Sequence, residues 1–181
     1  MRSGWRSEAQ KTDSMSHFEK VSYEQWKADC GIKGLPDKNL REWYEAIRMP
    51  RQATAASAGV DFFMPFNLNF EAGSRFRIAT GMRWVTGEAD DRGRVLLIVP
   101  RSGLGFRYGI RLSNTVGVID ADYCDSDNEG HIIISLENPS ETTIELAEGK
   151  AFAQGIVVKY EIPDGAESEE SRAGGFGSTD R

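Results

Sequence analysis

The sequence predicts an all-β fold, a distorted antiparallel β-barrel of jelly-roll type with a short helical extension before it and a flexible arm after it. Three observations point there. From residue 58 onward the chain breaks into short segments rich in Val, Ile, Phe and Thr, separated by Gly, Asn, Asp and Pro, which is the pattern of strands and turns. No helical crossover interrupts them, and parallel sheets need long crossovers, so antiparallel packing is the economical arrangement. At 181 residues the chain has room for one core rather than two.

Residues 1–17, MRSGWRSEAQKTDSMSH, carry no hydrophobic period and read as a disordered lead-in. The extension follows at 18–49. Ser22 and Gln25 have capping-box spacing for a short helix through Trp26, which Gly31 and Gly34 break. Asp37 caps a second helix, on which Leu40, Trp43, Tyr44 and Ile47 share one face before Pro50 ends the pattern. This stripe reads as packing surface that docks on the body of the fold or on a neighbouring subunit. Within a β domain at 50–162, strands are expected at 61–66, 75–84, 94–99, 106–112, 116–119, 131–137, 142–147 and 151–162. The stretch 161–181 holds six acids, two arginines and four glycines, with Ile162 and Phe176 as its large apolar residues. It cannot offset its own ordering entropy, so 163–181 is expected to be a mobile arm when no ligand is bound.

Composition excludes several classes. The 22 basic and 28 acidic residues leave a net charge of −6, which argues against a platform for duplex nucleic acid. Two cysteines, Cys30 and Cys124, and two histidines, His17 and His131, supply neither a disulfide framework nor a structural zinc site. The longest aliphatic run, residues 95–99, is far short of the roughly 20 residues a membrane helix needs. The expectation is a cytoplasmic protein with neither nucleic acid nor membrane among its partners.

Two local motifs can carry chemistry. Pro100-Arg101-Ser102-Gly103 follows the apolar strand 95–99, so the proline ends the ladder and the next residues emerge at its end. Arg101 offers a forked cation, Ser102 a hydroxyl, and Gly103 a backbone that an anion can approach. A turn with an exposed Arg and a capping Ser accounts for the same four residues. Gly117 to Tyr123, GVIDADY, places Asp120 after an apolar strand and an aromatic three residues on. Asp120 could activate water or simply cap a turn; locally the two readings weigh the same. Asp125-Ser126-Asp127-Asn128-Glu129-Gly130 imitates the start of a calcium-binding loop, but the twelfth place is Leu136 and the continuation is strand-like. His131 reads as a structural strand residue, Cys30 as helix packing and Cys124 as an ordinary thiol.

Taken in order, Pro50 to Thr54, Ser57 to Asp61, Pro100 to Gly103, Asn114 to Tyr123, Gly149 to Gln154 and Gly174-Gly175-Phe176-Gly177-Ser178-Thr179 resemble the five ordered motifs of the trimeric dUTPase family. The resemblance spans about residues 50 to 181. It implies hydrolysis of dUTP to dUMP and pyrophosphate, which keeps uracil out of DNA and supplies dUMP for thymidylate synthesis. It also implies a homotrimer whose active sites are shared between chains. By the same resemblance Asp120 aligns and deprotonates the attacking water, and Tyr123 underlies the deoxyribose. Asn114 and the backbone through Gly117 and Ile119 read uracil, and Phe176 stacks on the base. Arg101, Ser102, Gly103, Gln154, Arg172, Gly177, Ser178 and Thr179 take the triphosphate, with Mg²⁺ among the phosphates and Asp61 touching its water shell.

The chain departs from the pattern in three places. Ala151 stands where the fourth motif carries an arginine, with Lys150 beside it as an imperfect substitute. Arg172 lies one residue nearer Gly174-Gly175 than usual, and residues 124–129 form an acidic insertion between Tyr123 and Gly130. Two other functions compete with the hydrolase. A dCTP deaminase shares this fold and the Arg-Ser turn, but Ser135 stands where its glutamate belongs, with Glu137 two residues later. A regulatory relative would instead hold a protein partner, with nucleotide as the switch.

Overall fold

A computed structural model describes residues 16–86, 93–166 and 168. The extension opens with strand β1 (His17–Lys20), helix α1 (Tyr23–Cys30) and helix α2 (Asp37–Ala46). Strands β2 (Arg51–Gln52), β3 (Val60–Phe63), β4 (Leu68–Phe70), β5 (Arg75–Ala79), β6 (Met82–Val85) and β7 (Arg94–Pro100) follow. Helix α3 (Ser102–Tyr108), β8 (Arg111–Leu112), β9 (Gly117–Ile119) and a 3₁₀ helix (Ala121–Asp125) lead to β10 (Ile133–Glu137), β11 (Ile144–Leu146) and β12 (Ala151–Lys159).

Every strand pair is antiparallel. The largest sheet has the order β2-β3-β12-β7-β9, beside a three-stranded sheet β5-β10-β8 and the pairs β1-β6 and β11-β4. Among the described residues these sheets pack as layers without closing into a full barrel. The pleat of β7 buries Leu96 and Ile98 against Phe62 of β3 and Phe152 of β12. Burying each such side chain contributes about 1.5–3 kcal/mol. Between Ala151 and Ala153 the register of β12 against β3 shifts, so Phe152 and Ala153, neighbours in sequence, are both buried. A regular pleat forbids that; the bulge resets the alternation just before Gln154.

The extension is built into the body. In α1 the Ser22 hydroxyl accepts the Gln25 N–H at 3.1 Å, as the capping-box spacing predicts, and the helix runs on to Cys30. Trp26 is fully buried and donates its indole N–H to the Ala79 carbonyl at 3.1 Å. Leu40 of α2 and Ile47 at its C-cap are buried, Trp43 packs on Phe66 at 5.5 Å, and Tyr44 packs against Trp26 at 5.8 Å. Pro36, not Asp37, occupies the N-cap of α2; the Asp37 carboxylate instead accepts from Tyr23 and Lys27. Lys20 of β1 donates to the carbonyls of Tyr44 and Glu45 at the C-terminal end of α2, where a cation is favoured.

Two of the expected strands need correction. Residues 106–112 alternate like a strand, yet the chain turns helical at Ser102, the Gly105 N–H closes on the Arg101 carbonyl at 3.0 Å, and Gly109 ends the helix at φ 69°. Residues 75–84 are two strands, because Thr80 turns aside to give both its N–H and its hydroxyl to the Ile132 carbonyl. β1, β2 and β4 have no counterpart among the expected strands; their runs of two to four residues are too short for a periodic signal.

Candidate active site

Two groups of expected site residues gather at different places on the large sheet. The first lies where β3, β12 and β7 meet. Asp61 of β3 stands opposite Gln154 of β12 and opposite Arg51 of β2, and Gln154 in turn faces Val99 of β7. Arg101 follows β7 and donates from Nη1 to Oδ2 of Asp61, forming an ion pair with a largely buried carboxylate. Gln154 donates from its side-chain amide to the Pro100 carbonyl at 3.4 Å. Ser102 and Gly103 open α3 beside this pair and are exposed. The cluster thus presents one guanidinium, one amide and the start of a helix that no side chain caps, a surface suited to anionic oxygen.

The second group surrounds a cavity of about 260 Å³ lined by Asn114, Gly117, Ile119, Tyr123 and Ser135, with apolar walls that include Ile98 and Leu112. The hairpin that frames it is forced close to β7: Gly117 faces Ile98, and a Cβ at 117 would lie 3.0 Å from that side chain. At the tip, Thr115 adopts φ 67°, strained for a β-branched residue, while the Val116 N–H bonds the Asn114 carbonyl at 2.7 Å. Tyr123 lies in the 3₁₀ helix with 7% of its surface exposed. Asp120 sits between the lining residues Ile119 and Tyr123, at the N-cap of that helix, with its side chain exposed.

The two groups are not adjacent within one chain. Ile119 pairs with Leu96, so Asp120 stands level with Val95, and Arg101 lies six residues further along the strand. At roughly 3.3 Å per residue their positions along the sheet are about 20 Å apart. Arg172, Phe176, Gly177, Ser178 and Thr179 lie outside the described residues.

Sequence reasoning missed some of the surroundings. Ser135, named in the sequence for the deaminase comparison alone, lines the cavity, and its hydroxyl is 2.9 Å from that of Ser113; the alternation of β10 was the available signal. Arg48 was not singled out, yet it donates to the Gly149 carbonyl at 2.8 Å and stacks 4.1 Å from the centre of the Phe63 ring, which stands opposite Ala151. A guanidinium thus reaches the turn where the fourth motif lacks its own. Burial, followed by the Asp125 charge, pushes the Cys124 thiol up, which favours the protonated form over the reactive thiolate. Among the described residues no three or more His, Cys, Asp or Glu side chains gather to hold a metal ion. No helix among them is long and apolar enough to cross a membrane.

A family model described as dUTPase matches residues 45–180. This chain belongs to the dUTPase family. It is 39% identical over 139 residues to the deoxyuridine 5′-triphosphate nucleotidohydrolase of Paraburkholderia xenovorans (strain LB400), covering 73% of this chain and 88% of that one. The protein of the same name from Acinetobacter baumannii (strain ATCC 17978) is 37% identical over 155 residues, 82% of this chain and 95% of its own. Among solved structures, the dUTPase from Streptococcus mutans superposes with a TM-score of 0.61 at 28% identity, over 82% of this chain and 99% of that one. The dUTPase match begins at residue 45, so β1, α1 and most of α2 lie outside it. Where a deaminase would need its glutamate, this dUTPase has Ser135, and Glu137 is held between Arg75 at 2.5 Å and Arg111 at 3.0 Å. That carboxylate is kept below the usual range first by Arg111 and then by Arg75.

Proposed function

We propose that this chain hydrolyses dUTP to dUMP and pyrophosphate. The observation that carries the reading is the cavity bounded by Asn114, Gly117, Ile119 and Tyr123 with Asp120 in the chain between the last two. Uracil would enter between the hairpin and Ser135. Its N3–H needs an acceptor and its two carbonyls need donors, which Asn114 and the backbone of 114–119 can supply. The sugar would lie over Tyr123, whose ring leaves no space for a 2′-hydroxyl, so ribonucleotides are rejected sterically.

Asp120 would orient a water toward the α-phosphorus and accept its proton. As the new P–O bond forms, the bond to the bridging oxygen breaks and its electron pair leaves with pyrophosphate. Arg101, Ser102, Gly103 and Gln154 would hold the triphosphate and neutralise the charge that grows on the leaving group. Asp61, already paired with Arg101, would keep that guanidinium aimed while touching the water shell of Mg²⁺. A hard ion held mainly by phosphate oxygens and water fits a site without a carboxylate cage and supplies charge neutralisation at the phosphates. Arg172, Phe176, Gly177, Ser178 and Thr179 would close over the bound nucleotide from the arm.

The 20 Å between Asp120 and Arg101 supports a shared site, in which the base half of one copy meets the phosphate half of another; a homotrimer is the assembly proposed. Phe106 on α3, 95% exposed, is a natural contact for a neighbouring copy. A cytoplasmic location is proposed with it; the net charge of −6 offers no attraction to an anionic membrane surface. Incubation with dUTP, dCTP, dTTP and UTP in turn tests the reaction and its specificity. Pyrophosphate from dUTP alone is expected; ammonia from dCTP would establish a deaminase, and turnover of none would favour a regulatory binding protein.

A further inference from the structure

The acidic insertion 124–129 lies behind the cavity, in contact with the one residue that the proposed function makes responsible for choosing deoxyribose. The Tyr123 hydroxyl donates to the His131 carbonyl at 3.0 Å and accepts from the Asn128 side-chain amide at 2.9 Å. Both roles of the phenol are filled. Asn128 has no rotational choice: its Oδ1 accepts the Gly130 N–H at 3.2 Å, and its backbone carbonyl accepts the His131 N–H at 3.0 Å. Turning the amide over would set its NH₂ against the Gly130 N–H. The loop also closes tightly, because a Cβ at Gly130, with φ 70°, would come within 2.5 Å of Cys124 Cα and 2.8 Å of the Tyr123 carbonyl.

The far side of the loop is tied to the extension. Glu129, at φ 58°, accepts the Ser22 N–H at 2.7 Å and the Ser22 hydroxyl at 2.6 Å. A non-glycine residue in that conformation persists only where its surroundings hold it. His131 is fully buried; its Nε2 accepts the Gly81 N–H at 2.9 Å, so the ring proton sits on Nδ1 and is donated to Asp29 of α1 at 2.6 Å. Both partners of the Tyr123 hydroxyl therefore stand on backbone that α1 and its cap clamp in place.

We propose that Asn128 is a positioning residue for sugar selection: through the Tyr123 hydroxyl it sets the height of the ring beneath the deoxyribose, and Glu129 anchors its loop to the extension through Ser22. This rests on the reading of the chain as a dUTPase with Tyr123 under the sugar. A hydrogen bond that holds a ring at one height resists the tilt a 2′-hydroxyl would demand. Its loss admits the ribonucleotide without touching the base or phosphate contacts.

The test compares kcat/KM for dUTP and for UTP in the full-length protein and its Asn128→Ala variant, with thermal unfolding recorded for both. The variant is expected to keep kcat for dUTP within about threefold while its preference for dUTP over UTP falls five- to tenfold, as the loss of about one hydrogen bond implies. Glu129→Gln, which weakens the anchor and keeps the side chain's size, should lower the preference in the same direction by less, and it replaces the first variant if that one does not fold. A preference unchanged within twofold in the folded variant, even with a lower melting temperature, overturns the proposal and leaves the dUTPase reading standing. A wild-type protein that fails to hydrolyse dUTP, or hydrolyses UTP equally well, overturns both.

Discussion

Asp120 has its backbone place fixed by the elements on either side of it. Ile119 holds it at the end of β9, and the 3₁₀ helix begins at Ala121. If it activates water, Asp120→Asn should lower kcat by several orders of magnitude while equilibrium binding of dUTP changes less than about threefold, because the amide keeps the shape and loses the base. Fluorescence or calorimetric titration beside a pyrophosphate assay reads the two effects separately, and surviving turnover would remove Asp120 from the mechanism. Residues that touch the cavity from motif positions were legible because the chemistry demanded their type: a carboxylate, an aromatic, a glycine forced against Ile98. Asn128 and His131 were not, because their importance lies in what they hold. No local pattern marks an asparagine whose amide bonds a tyrosine five residues back.

The elements most legible in the sequence were those whose burial follows a single period. β7, with Leu96 and Ile98 inward, and α2, with Leu40 inward and Ile47 buried at its C-cap, fall where the spacing put them. α3 was misread because Phe106, Tyr108, Ile110 and Leu112 alternate, and alternation carries no information on whether Gly109 will terminate a helix. The tie between α1 and the strand region at Gly81 brings a pH dependence. His131 is held below the ordinary imidazole range, chiefly because burial disfavours its charged form, against the opposing pull of Asp29 and then Glu129. The unfolded chain therefore takes up this proton near pH 6.5, and the folded chain only at lower pH. The stability from the neutral ring is complete above about pH 6.5 and falls as pH drops through that value toward the folded pKa. Protonation would also cost the Gly81 amide its acceptor. The melting temperature should decline between pH 7 and pH 5, and the decline should be shallower in His131→Gln. Equal slopes in the two proteins would show that some other group governs acid sensitivity.

At the scale of the whole molecule, the strand register separates the two groups that the proposed reaction would unite. One chain carries the cavity beside Tyr123 and the Arg101–Asp61–Gln154 cluster about 20 Å apart along β7, as their pairing requires. Sequence could order the motifs but could not say which of them share a chain's own face, since that depends on β9 running antiparallel to β7. Two consequences are measurable. Sedimentation should give three times the mass of one chain, and specific activity should fall on dilution below the dissociation range of the assembly. Removing residues 174–181 should cut kcat/KM for dUTP by at least about a hundredfold with the melting temperature unchanged within about 2 °C; a large drop in melting temperature would assign those residues to stability instead.

Among the described residues β1 is the one neighbour of β6 in its sheet, matched residue for residue from His17 opposite Val85 to Lys20 opposite Met82 and riveted by Glu19 to Arg83. A shortened gene product starting after Lys20 would bare the edge of β6 that β1 covers, beside Trp84; Met82 keeps its bonds to Thr80 and Ile132. Edges of that sort recruit one another, so trimming the protein to its family-matched portion, the obvious step toward crystals, should yield inclusion bodies instead.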